Sequence, residues 1–345
     1  MNITFLVPCK DLAGGLRVVA AYGNALLRRG HDVAVIYPQR PLSLRESLRR
    51  KKRRLLYKER DHLDFFRGRL FEVPEISEKF MPDSDCLVAT AWETAEWAKD
   101  FSPRCGKKFY LIQHYETWSG DQKDVDATFH YPFKKIVISN WLKMVIERMS
   151  GENDIPVISN GKDFFLSESL GDGLKKKYDV GMLYSPVPFK KTADGVAAIK
   201  EVTKSLPDLR VVFFGSEFPK EPLFKNAMFF RRPSQDKIRN TYLSTRVWIS
   251  SSLTEGFCLP ALEAISLGCA VVATNSLGIE DIIKDGEDGI LVDPENPKAL
   301  AEKILEVLND PELEKRLRIA SLKKSEAFSW EYSTDKLESL LTLET

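Results

Sequence analysis

Two carboxylates, Glu255 and Glu263, lie eight residues apart within the stretch from Ser250 to Gly268. A short apolar, strand-like run (Val247–Ile249) leads into a polar turn that contains Glu255, and an apolar-periodic helix that contains Glu263 follows. Helix N-termini bind anions, because unpaired backbone N–H groups and the helix dipole both favour negative charge there. The stretch therefore predicts a binding site for a phosphorylated compound.

The spacing of the two carboxylates limits their joint chemistry. A helical rise of ~1.5 Å per residue separates them by roughly 12 Å at most, whereas a glycoside hydrolase pair needs about 5–9.5 Å. The spacing suits one elongated ligand held at both ends, such as a nucleotide-sugar, because carboxylates accept hydrogen bonds from sugar and ribose hydroxyls. The backbone N–H groups expected to face its phosphates belong to Gly256, Phe257, Cys258 and Leu259. The alternative is an amphipathic helix with a capping carboxylate and one paired Glu.

Length and composition set the broad class. At 345 residues, with 43% hydrophobic and 29% charged residues, the chain is expected to be a globular protein of two domains. The net charge of +1 argues against a nucleic-acid-binding protein. Five scattered cysteines without a CxxC pair argue against a zinc ribbon or a disulfide framework, and favour a reducing compartment. No apolar run approaches ~20 residues, so the expected location is the cytoplasm or the inner membrane surface.

The first half predicts a parallel α/β domain. A strand from Asn2, the pair Gly14–Gly15 at the start of a helix, and a strand at Asp32–Tyr37 form a βαβ unit that lacks the GxGxxG spacing, which makes NAD unlikely. Further strands are predicted at Cys86–Thr90, Lys108–Gln113, Lys135–Ser139 and Ile155–Ser159. Ligands lie beyond the carboxyl ends of such strands, so the candidate positions are Gly14–Gly15, Gln113–Glu116 and Asn160–Asp163. For His114 the alternative is a histidine that only hydrogen-bonds locally, but its position directly after an apolar strand favours the functional interpretation.

A second α/β domain is predicted after the Ser-, Gly- and Lys-rich segment near Phe164–Lys177. Its predicted strands are Asp179–Tyr184, Leu209–Phe214, Ala227–Phe230, Val247–Ser250, Ala270–Thr274 and Gly289–Val292, with helices near Thr192–Ser205, Ser234–Ser244, Pro260–Leu267 and Pro297–Leu308. The final segment is predicted to be helical with a break near Trp330. The expected domains are therefore residues 1–165 and 166–325, followed by a terminal helical segment at 326–345.

The segment Arg45–Arg60 carries nine Lys or Arg residues against two Glu. Such a run is commonly a solvated charged face. The alternative is a basic amphipathic segment that binds anionic lipid head groups or an anionic acceptor. Both interpretations remain open at this stage.

The chain resembles a known enzyme family over nearly its whole length. Thr254–Ala264, TEGFCLPALEA, looks like the E-x7-E motif of retaining, metal-independent nucleotide-sugar glycosyltransferases, a family that includes glycogen synthase-like and lipopolysaccharide-type enzymes. The resemblance extends to the Gly14–Gly15 loop and to other segments. These are Ile136–Lys143, Asn160–Asp163, Gly268–Gly278, Asp285–Leu300 and Phe328–Trp330.

The resemblance implies the GT-B architecture, in which two Rossmann-like domains face a cleft. The second domain would bind the donor, the first domain the acceptor, and the C-terminal helix would cross back to the N-terminal domain. It also implies roles for the two carboxylates: Glu255 contacts the hydroxyls of the donor sugar and Glu263 the ribose. Backbone at Gly256–Leu259 would meet the sugar and the diphosphate.

A basic pair normally neutralises the donor diphosphate in this family. Lys190 matches the Lys of that pair, but Ser185 stands where the Arg would be. The loss of a bidentate phosphate donor weakens stabilisation of the leaving group. The candidate replacements are Lys191, Arg231 and Arg232.

Gly14, Gly15 and His114 occupy family positions that approach the phosphates and the reacting sugar. The catalytic set implied by the resemblance is Glu255, Lys190 and His114, with transfer to a glycan or lipid-linked acceptor, retention of anomeric configuration and no metal or other cofactor. The departing phosphate would help to deprotonate the acceptor hydroxyl. Ser185 motivates an alternative, a catalytically weak nucleotide-sugar-binding partner subunit. A sugar-nucleotide epimerase is less favoured, because no paired acid–base groups are evident at the strand exits.

Overall fold

The computed structural model describes residues 1–39, 61–163, 176–219 and 223–344. The chain divides into two compact units. The first unit comprises Met1–Asn160 together with Trp330–Thr345, and the second comprises Gly161–Ser329. The chain thus leaves the first unit once, after Asn160, and re-enters it at Trp330.

Two six-stranded parallel sheets form the centres of the two units in the described ranges. The strands of the first unit are β1 (Asn2–Leu6), β2 (Asp32–Pro38), β3 (Arg69–Val73), β4 (Cys86–Ala89), β5 (Lys107–Ile112) and β6 (Lys134–Val137). Those of the second unit are β7 (Tyr178–Tyr184), β8 (Val211–Gly215), β9 (Ala227–Arg231), β10 (Thr245–Ser250), β11 (Ala270–Thr274) and β12 (Ile290–Val292). Most are short, apolar and buried, as strands covered on both faces must be.

Helices connect the strands and cover the sheets. They are α1 (Gly14–Arg28), α2 (Trp92–Ala98), α3 (Gln122–Thr128), α4 (Asn140–Ser150), α5 (Thr192–Ser205), α6 (Gln235–Leu243), α7 (Leu259–Ser266), α8 (Pro297–Asn309), α9 (Pro311–Ser325) and α10 (Trp330–Glu344). None of the helices in the described part of the chain has the length and apolar character needed to cross a lipid bilayer.

The two sheets have the same topology. The strand order is β3-β2-β1-β4-β5-β6 in the first sheet and, written in the matching direction, β9-β8-β7-β10-β11-β12 in the second. This is the order of the doubly wound Rossmann fold, in which ligands bind beyond the carboxyl ends of the strands where the order reverses. The reversal lies between β1 and β4 in the first unit and between β7 and β10 in the second. The predicted α/β class with two Rossmann-like domains is confirmed.

The terminal helix α10 packs against α1 within the first unit. Arg29 is the centre of the polar contact: its guanidinium reaches Glu331 at 2.6 Å, Asp335 at 2.7 Å and Glu338 at 2.6 Å. The ring of Trp330 meets that of Tyr22 edge to face, with 5.3 Å between centroids. A charged network and an aromatic contact therefore fix the last helix to the first unit.

Two local predictions were wrong. Ile155–Ser159 forms only a single bridge, between Val157 and Val137, because the segment diverges from the sheet directly after it. The edge strand β3 was missed, because an edge strand is covered on one side only and Arg69–Val73 has a single buried residue, Val73. The basic segment Arg45–Arg60 lies outside the described residues.

Candidate active site

The carboxyl ends of β7 and β10 bring Lys190 and Glu255 together at the topological reversal of the second sheet. The Lys190 ammonium donates to Glu255 Oε1 at 2.6 Å and to Oε2 at 2.8 Å, and Ser252 Oγ donates to Oε1 at 2.6 Å. The side chain of Lys190 is 20% exposed and that of Glu255 is 7% exposed. Lys190, Glu255 and the serines 251 and 252 line a small cavity between the two strand ends.

The charge of Glu255 favours the protonated form of Lys190. Burial by itself lowers the pKa of Lys190, but the adjacent charge of Glu255 outweighs it, so the net pKa of the lysine is raised. A cation and an anion thus occupy the site side by side. Either group can bind a ligand of opposite charge or a hydroxyl once the other is displaced.

Backbone contacts fix the loop that carries Lys190. Ser251 Oγ donates to the carbonyl of Lys191 at 2.9 Å and to that of Lys190 at 3.2 Å, which ties the exit of β10 to the exit of β7. Lys191 adopts the left-handed region with φ of 44°, and there the chain turns from the short helix Pro188–Lys190 into α5. The lysine loop and the carboxylate loop are therefore positioned as one assembly.

Glu255 is also held from its backbone by the loop after β11. Its N–H donates to Ser276 O at 2.8 Å, and the N–H of Gly278 donates to Glu255 O at 3.2 Å. A Cβ on Gly278 would lie 2.4 Å from Gly256 O and 2.5 Å from Glu255 O, so only glycine allows this approach. Leu277, which lies between Ser276 and Gly278, has φ of 68° and ψ of −73°. It is the central residue of a γ-turn of the rare and strained type. Strain of this kind accumulates where a loop must hold one geometry.

The residues between the two carboxylates form the entry to α7. Phe257 is buried and its ring packs against Phe328 with centroids 5.8 Å apart, so its side chain serves the core. Cys258 precedes α7 in a left-handed conformation, with φ of 73°, and burial raises the pKa of its thiol to about 12. Cys258 is consequently a neutral thiol, and the loop contributes backbone rather than reactive sulfur.

Glu263 lies inside α7 and is buried. The hydroxyl of Tyr242, from α6, donates to Glu263 Oε2 at 2.8 Å, and the ring of Tyr242 packs on Trp248 with centroids 4.3 Å apart. Glu255 and Glu263 thus have different environments: the first faces a lysine and the second a tyrosine.

Three further cations of the second unit are candidate replacements for the arginine that the family carries at position 185. Lys191 forms an ion pair with Glu295 at 2.5 Å, and the Arg231 guanidinium lies 5.6 Å from the centroid of the Phe218 ring. Arg232 Nε donates to Ser216 O at 3.3 Å, at the carboxyl end of β8. At position 185 itself, the Ser185 hydroxyl accepts from the N–H of Val187 at 3.3 Å.

In the first unit, Gly14 and Gly15 begin α1, and Gln113 and His114 follow β5. A Cβ on Gly15 would lie 3.1 Å from Gln113 Nε2, so the glycine loop and the exit of β5 are in contact. The buried imidazole of His114 meets the ring of Trp118 at 4.2 Å between centroids and that of Trp141 at 5.9 Å, both edge to face. Gly15 and the exit of β5, where Gln113 and His114 lie, are therefore neighbours in the first unit.

Sequence reasoning did not assign roles to Ser252 or Tyr242, the hydroxyl partners of the two carboxylates. Ser252 was visible as part of the polar turn, three residues before Glu255. Tyr242 lies 21 positions before Glu263, and no sequence signal links the two residues, since folding alone brings α6 beside α7.

A larger open depression of about 670 Å³ lies elsewhere in the second unit, beside β12. Lys284 and Lys324 on its wall form ion pairs with Glu287 and Asp288, respectively. Its size alone does not make it the better candidate. The cavity at the reversal of the second sheet contains the Lys190–Glu255 ion pair and lies where this fold binds ligands.

Residues 175–324 match the family model described as glycosyl transferases group 1. The matched residues all lie in the second unit. The match includes Lys190, Glu255 and Glu263, so the cavity at the reversal of the second sheet lies inside the matched region.

Curated relatives match the chain over part of their length. An uncharacterized glycosyltransferase of Methanocaldococcus jannaschii is 29% identical over 202 residues, which cover 57% of this chain and 56% of the relative. A sulfoquinovosyl transferase of Arabidopsis thaliana is 31% identical over 147 residues, which cover 40% of this chain and 29% of the relative. The aligned region thus spans about half of the first relative and less than a third of the second.

Solved structures share the fold over almost the whole chain. HepE from Anabaena, solved in complex with UDP and glucose, has a TM-score of 0.79 and 16% identity, covering 99% of both chains. The sucrose-phosphate synthase from Thermosynechococcus elongatus has a TM-score of 0.75 at 16% identity and covers 99% of this chain and 98% of its own. These similarities show that the chain has the GT-B fold over almost its whole length.

Proposed function

We propose that this protein is a glycosyltransferase that moves a sugar from a nucleoside-diphosphate sugar to a hydroxyl of a glycan or glycolipid, in the synthesis of a cell-surface polysaccharide. The observation that carries the proposal is the Lys190–Glu255 ion pair at the reversal of the second sheet, inside the region that matches the glycosyl transferases group 1 model. The ammonium is the counter-ion for the donor diphosphate, and the carboxylate accepts hydrogen bonds from the donor sugar. HepE, a structural neighbour solved with UDP and glucose, supports a donor of this class.

In the proposed complex, different groups of the second unit bind the phosphates, the ribose and the sugar of the donor. Backbone at Gly256–Leu259 and the start of α7 receive the phosphates, as helix N-termini do. Glu263 receives the ribose beyond them. Lys190 exchanges Glu255 for the diphosphate when the donor binds, which frees the carboxylate for the sugar. Without an arginine at position 185, Lys190 carries most of the stabilisation of the leaving group, with Lys191, Arg231 and Arg232 as auxiliary cations.

The test uses the purified full chain with a panel of UDP-, GDP- and dTDP-sugars, and measures release of nucleoside diphosphate. Glu255→Gln and Lys190→Ala are expected to lower turnover by about 10²–10³-fold, the range for removal of one transition-state electrostatic contact. Lys303→Ala is the matched control, because Lys303 forms an exposed ion pair with Glu306 at 2.8 Å on α8. Equal activity in all three variants would contradict the assignment.

The reaction is proposed to retain the anomeric configuration and to need no metal. His114 contributes its imidazole or backbone carbonyl near the anomeric carbon, and Gly14 and Gly15 let backbone approach the phosphates. NMR of the product reports the configuration directly. Full turnover in excess chelator is expected, and turnover abolished by chelator and restored by a divalent cation would refute this part.

The basic segment Arg45–Arg60 is proposed to hold the protein on an anionic membrane surface, with the cytoplasm as its location. Each cation near an acidic leaflet contributes ~1 kcal/mol, so nine of them suffice for reversible attachment. Co-sedimentation with phosphatidylglycerol vesicles is expected, with loss of binding when residues 49–54 are neutralised. Binding that survives neutralisation would contradict this assignment.

Ser185 supports a second candidate, a partner subunit that binds nucleotide-sugar with little activity of its own. A serine hydroxyl cannot supply the charge of a guanidinium to the diphosphate. Nucleoside diphosphates are expected to raise the melting temperature for both candidates. Release of nucleoside diphosphate from a sugar donor distinguishes them, because only the enzyme carries out this reaction.

A further inference from the structure

The loop after β5, residues 115–120, is held rigidly against the start of α2 in the first unit. The backbone N–H of Trp92 donates to Glu116 Oε2 at 2.9 Å, and its indole N–H donates to Ser119 Oγ at 2.9 Å. Ser119 Oγ in turn donates to Glu116 O at 3.0 Å. Gly120 lies directly against the Trp92 ring, since a Cβ there would be 2.3 Å from the ring. The loop is therefore fixed by polar and packing contacts on the Trp92 side.

This rigid loop presents a large aromatic side chain to solvent. Trp118 is 43% exposed, although its ring also meets His114 edge to face. Rigid exposed aromatic side chains give contact area at little cost in conformational entropy. The C–H face of a pyranose ring is apolar, whereas its rim carries hydroxyls, so an indole beside hydrogen-bonding carboxyls matches both parts of a saccharide.

Two carboxyls lie where this loop meets the start of α2: Glu116 in the loop and Glu93 in the first turn of α2. Burial raises the pKa of Glu116 to about 8, with a further contribution from the neighbouring charge of Glu93, and burial also raises the pKa of Glu93. Glu116 is therefore protonated at neutral pH and can both donate and accept hydrogen bonds. Perturbed carboxyls at such a position characterise functional sites.

The cluster lies at the carboxyl ends of β4 and β5, beside the reversal of the first sheet, where this topology binds ligands. We propose that Trp118, Glu116 and Glu93 form a saccharide subsite that holds the terminal sugar ring of the acceptor next to His114. The inference deepens the proposed function and rests on it, because it assigns the acceptor as a carbohydrate rather than an inositol, a glycerol or a protein.

The test measures sugar binding without the reaction. Saturation-transfer NMR on the full chain uses methyl α-glycosides of glucose, mannose, galactose and rhamnose, with myo-inositol and glycerol as competitors of different chemistry. At least one glycoside is expected to bind the wild type, and Trp118→Ala is expected to weaken it about threefold to tenfold. Phe71→Ala is the matched control, because Phe71 on β3 is 40% exposed in the same unit. Glu116→Gln keeps the neutral carboxyl's shape and is expected to retain binding, whereas Glu116→Ala is expected to lose it.

The outcomes separate this inference from the proposed function. Thermal shift by nucleoside diphosphates reports the donor site in every variant. If nucleotides bind and no glycoside does, or if Trp118→Ala and Phe71→Ala bind the glycoside equally, the subsite is refuted and the proposed function stands. If nucleotides do not bind the wild type, the proposed function itself is refuted, and with it the subsite that rests on it. An octyl glycoside that binds more tightly than its methyl counterpart identifies a lipid-linked sugar as the source, and equal binding identifies a soluble glycan end.

Discussion

The two units share one strand order but place different chemistry at the reversal of their sheets. The second sheet has an ion pair there, Lys190 with Glu255, held by serine hydroxyls and backbone. The first sheet has two indoles against His114 and, in the loop after β5, the carboxyl of Glu116, whose pKa is raised by burial to about 8. The same topology thus supports a charged site and an aromatic site. The fold determines where the loops bring side chains together, and the sequence of each loop determines which side chains these are.

The largest expected effect lies in the charged site. Lys190→Met leaves the buried Glu255 carboxylate without its partner and is expected to lower the free energy of unfolding by about 3–5 kcal/mol. Glu255→Leu leaves the partly exposed Lys190 ammonium unpaired, and a smaller loss is expected. The double variant is expected to recover most of that stability and to remain inactive. Chemical denaturation of the wild type, the two single variants and the double variant measures the four free energies of unfolding, and their differences give the coupling energy between Lys190 and Glu255. Additive losses in the double variant would mean that the two charges are not coupled.

A glycine substitution in each unit compares the two loops directly. Gly278→Ala forces a Cβ onto backbone carbonyls beside Glu255, which cannot move without shifting the carboxylate, and about 1–3 kcal/mol of destabilisation with reduced turnover is expected. Gly120→Ala meets only the Trp92 side chain, and a smaller loss is expected. Thermal melts and turnover of both variants decide the order. A larger loss at Gly120 would show that the aromatic loop is the more rigid one.

The pH dependence of stability isolates Glu116. Its pKa in the folded protein, about 8, lies above the ordinary value of 4.5, so between these values the folded state holds a proton that the unfolded state has lost. The stability that this carboxyl contributes is therefore complete below about pH 4.5 and falls as the pH rises to about 8. The melting temperature of the wild type relative to Glu116→Gln is expected to fall over this window. A constant difference would contradict protonation of Glu116.

The smallest effect is expected at the contact of the terminal helix. Glu338 pairs with His31 and Arg29, hydrogen bonds that lower its pKa. Its stabilisation is present above pH 4.5 and is lost as the pH falls through the lowered pKa. Glu338→Gln is expected to cost about 1 kcal/mol at neutral pH, because the pair is partly exposed. Hydrogen exchange in α10 that is unchanged by the substitution would show that Trp330 and the apolar contacts suffice.

Much of the fold follows from local sequence. Buried parallel strands such as β4, β8 and β11 are short apolar runs with β-branched residues, and α5 was predicted with its observed bounds, Thr192–Ser205. The edge strand β3 escaped prediction because its residues need not be apolar on both faces. Ile155–Ser159 was apolar enough for a strand, but an apolar run does not specify whether its backbone finds a partner.

The sequence by itself determined the two α/β units and the strand exits at which candidate residues lie, and the family resemblance implied that Glu255 and Lys190 belong to one site. The tertiary structure alone decided the partners of those groups: that Lys190 neutralises Glu255, that Tyr242 reaches Glu263, and that Trp92 clamps the loop that presents Trp118. Local patterns report burial and backbone preference over a few residues. Contacts between residues 20 to 65 positions apart depend on how the strands are ordered, which no local pattern encodes.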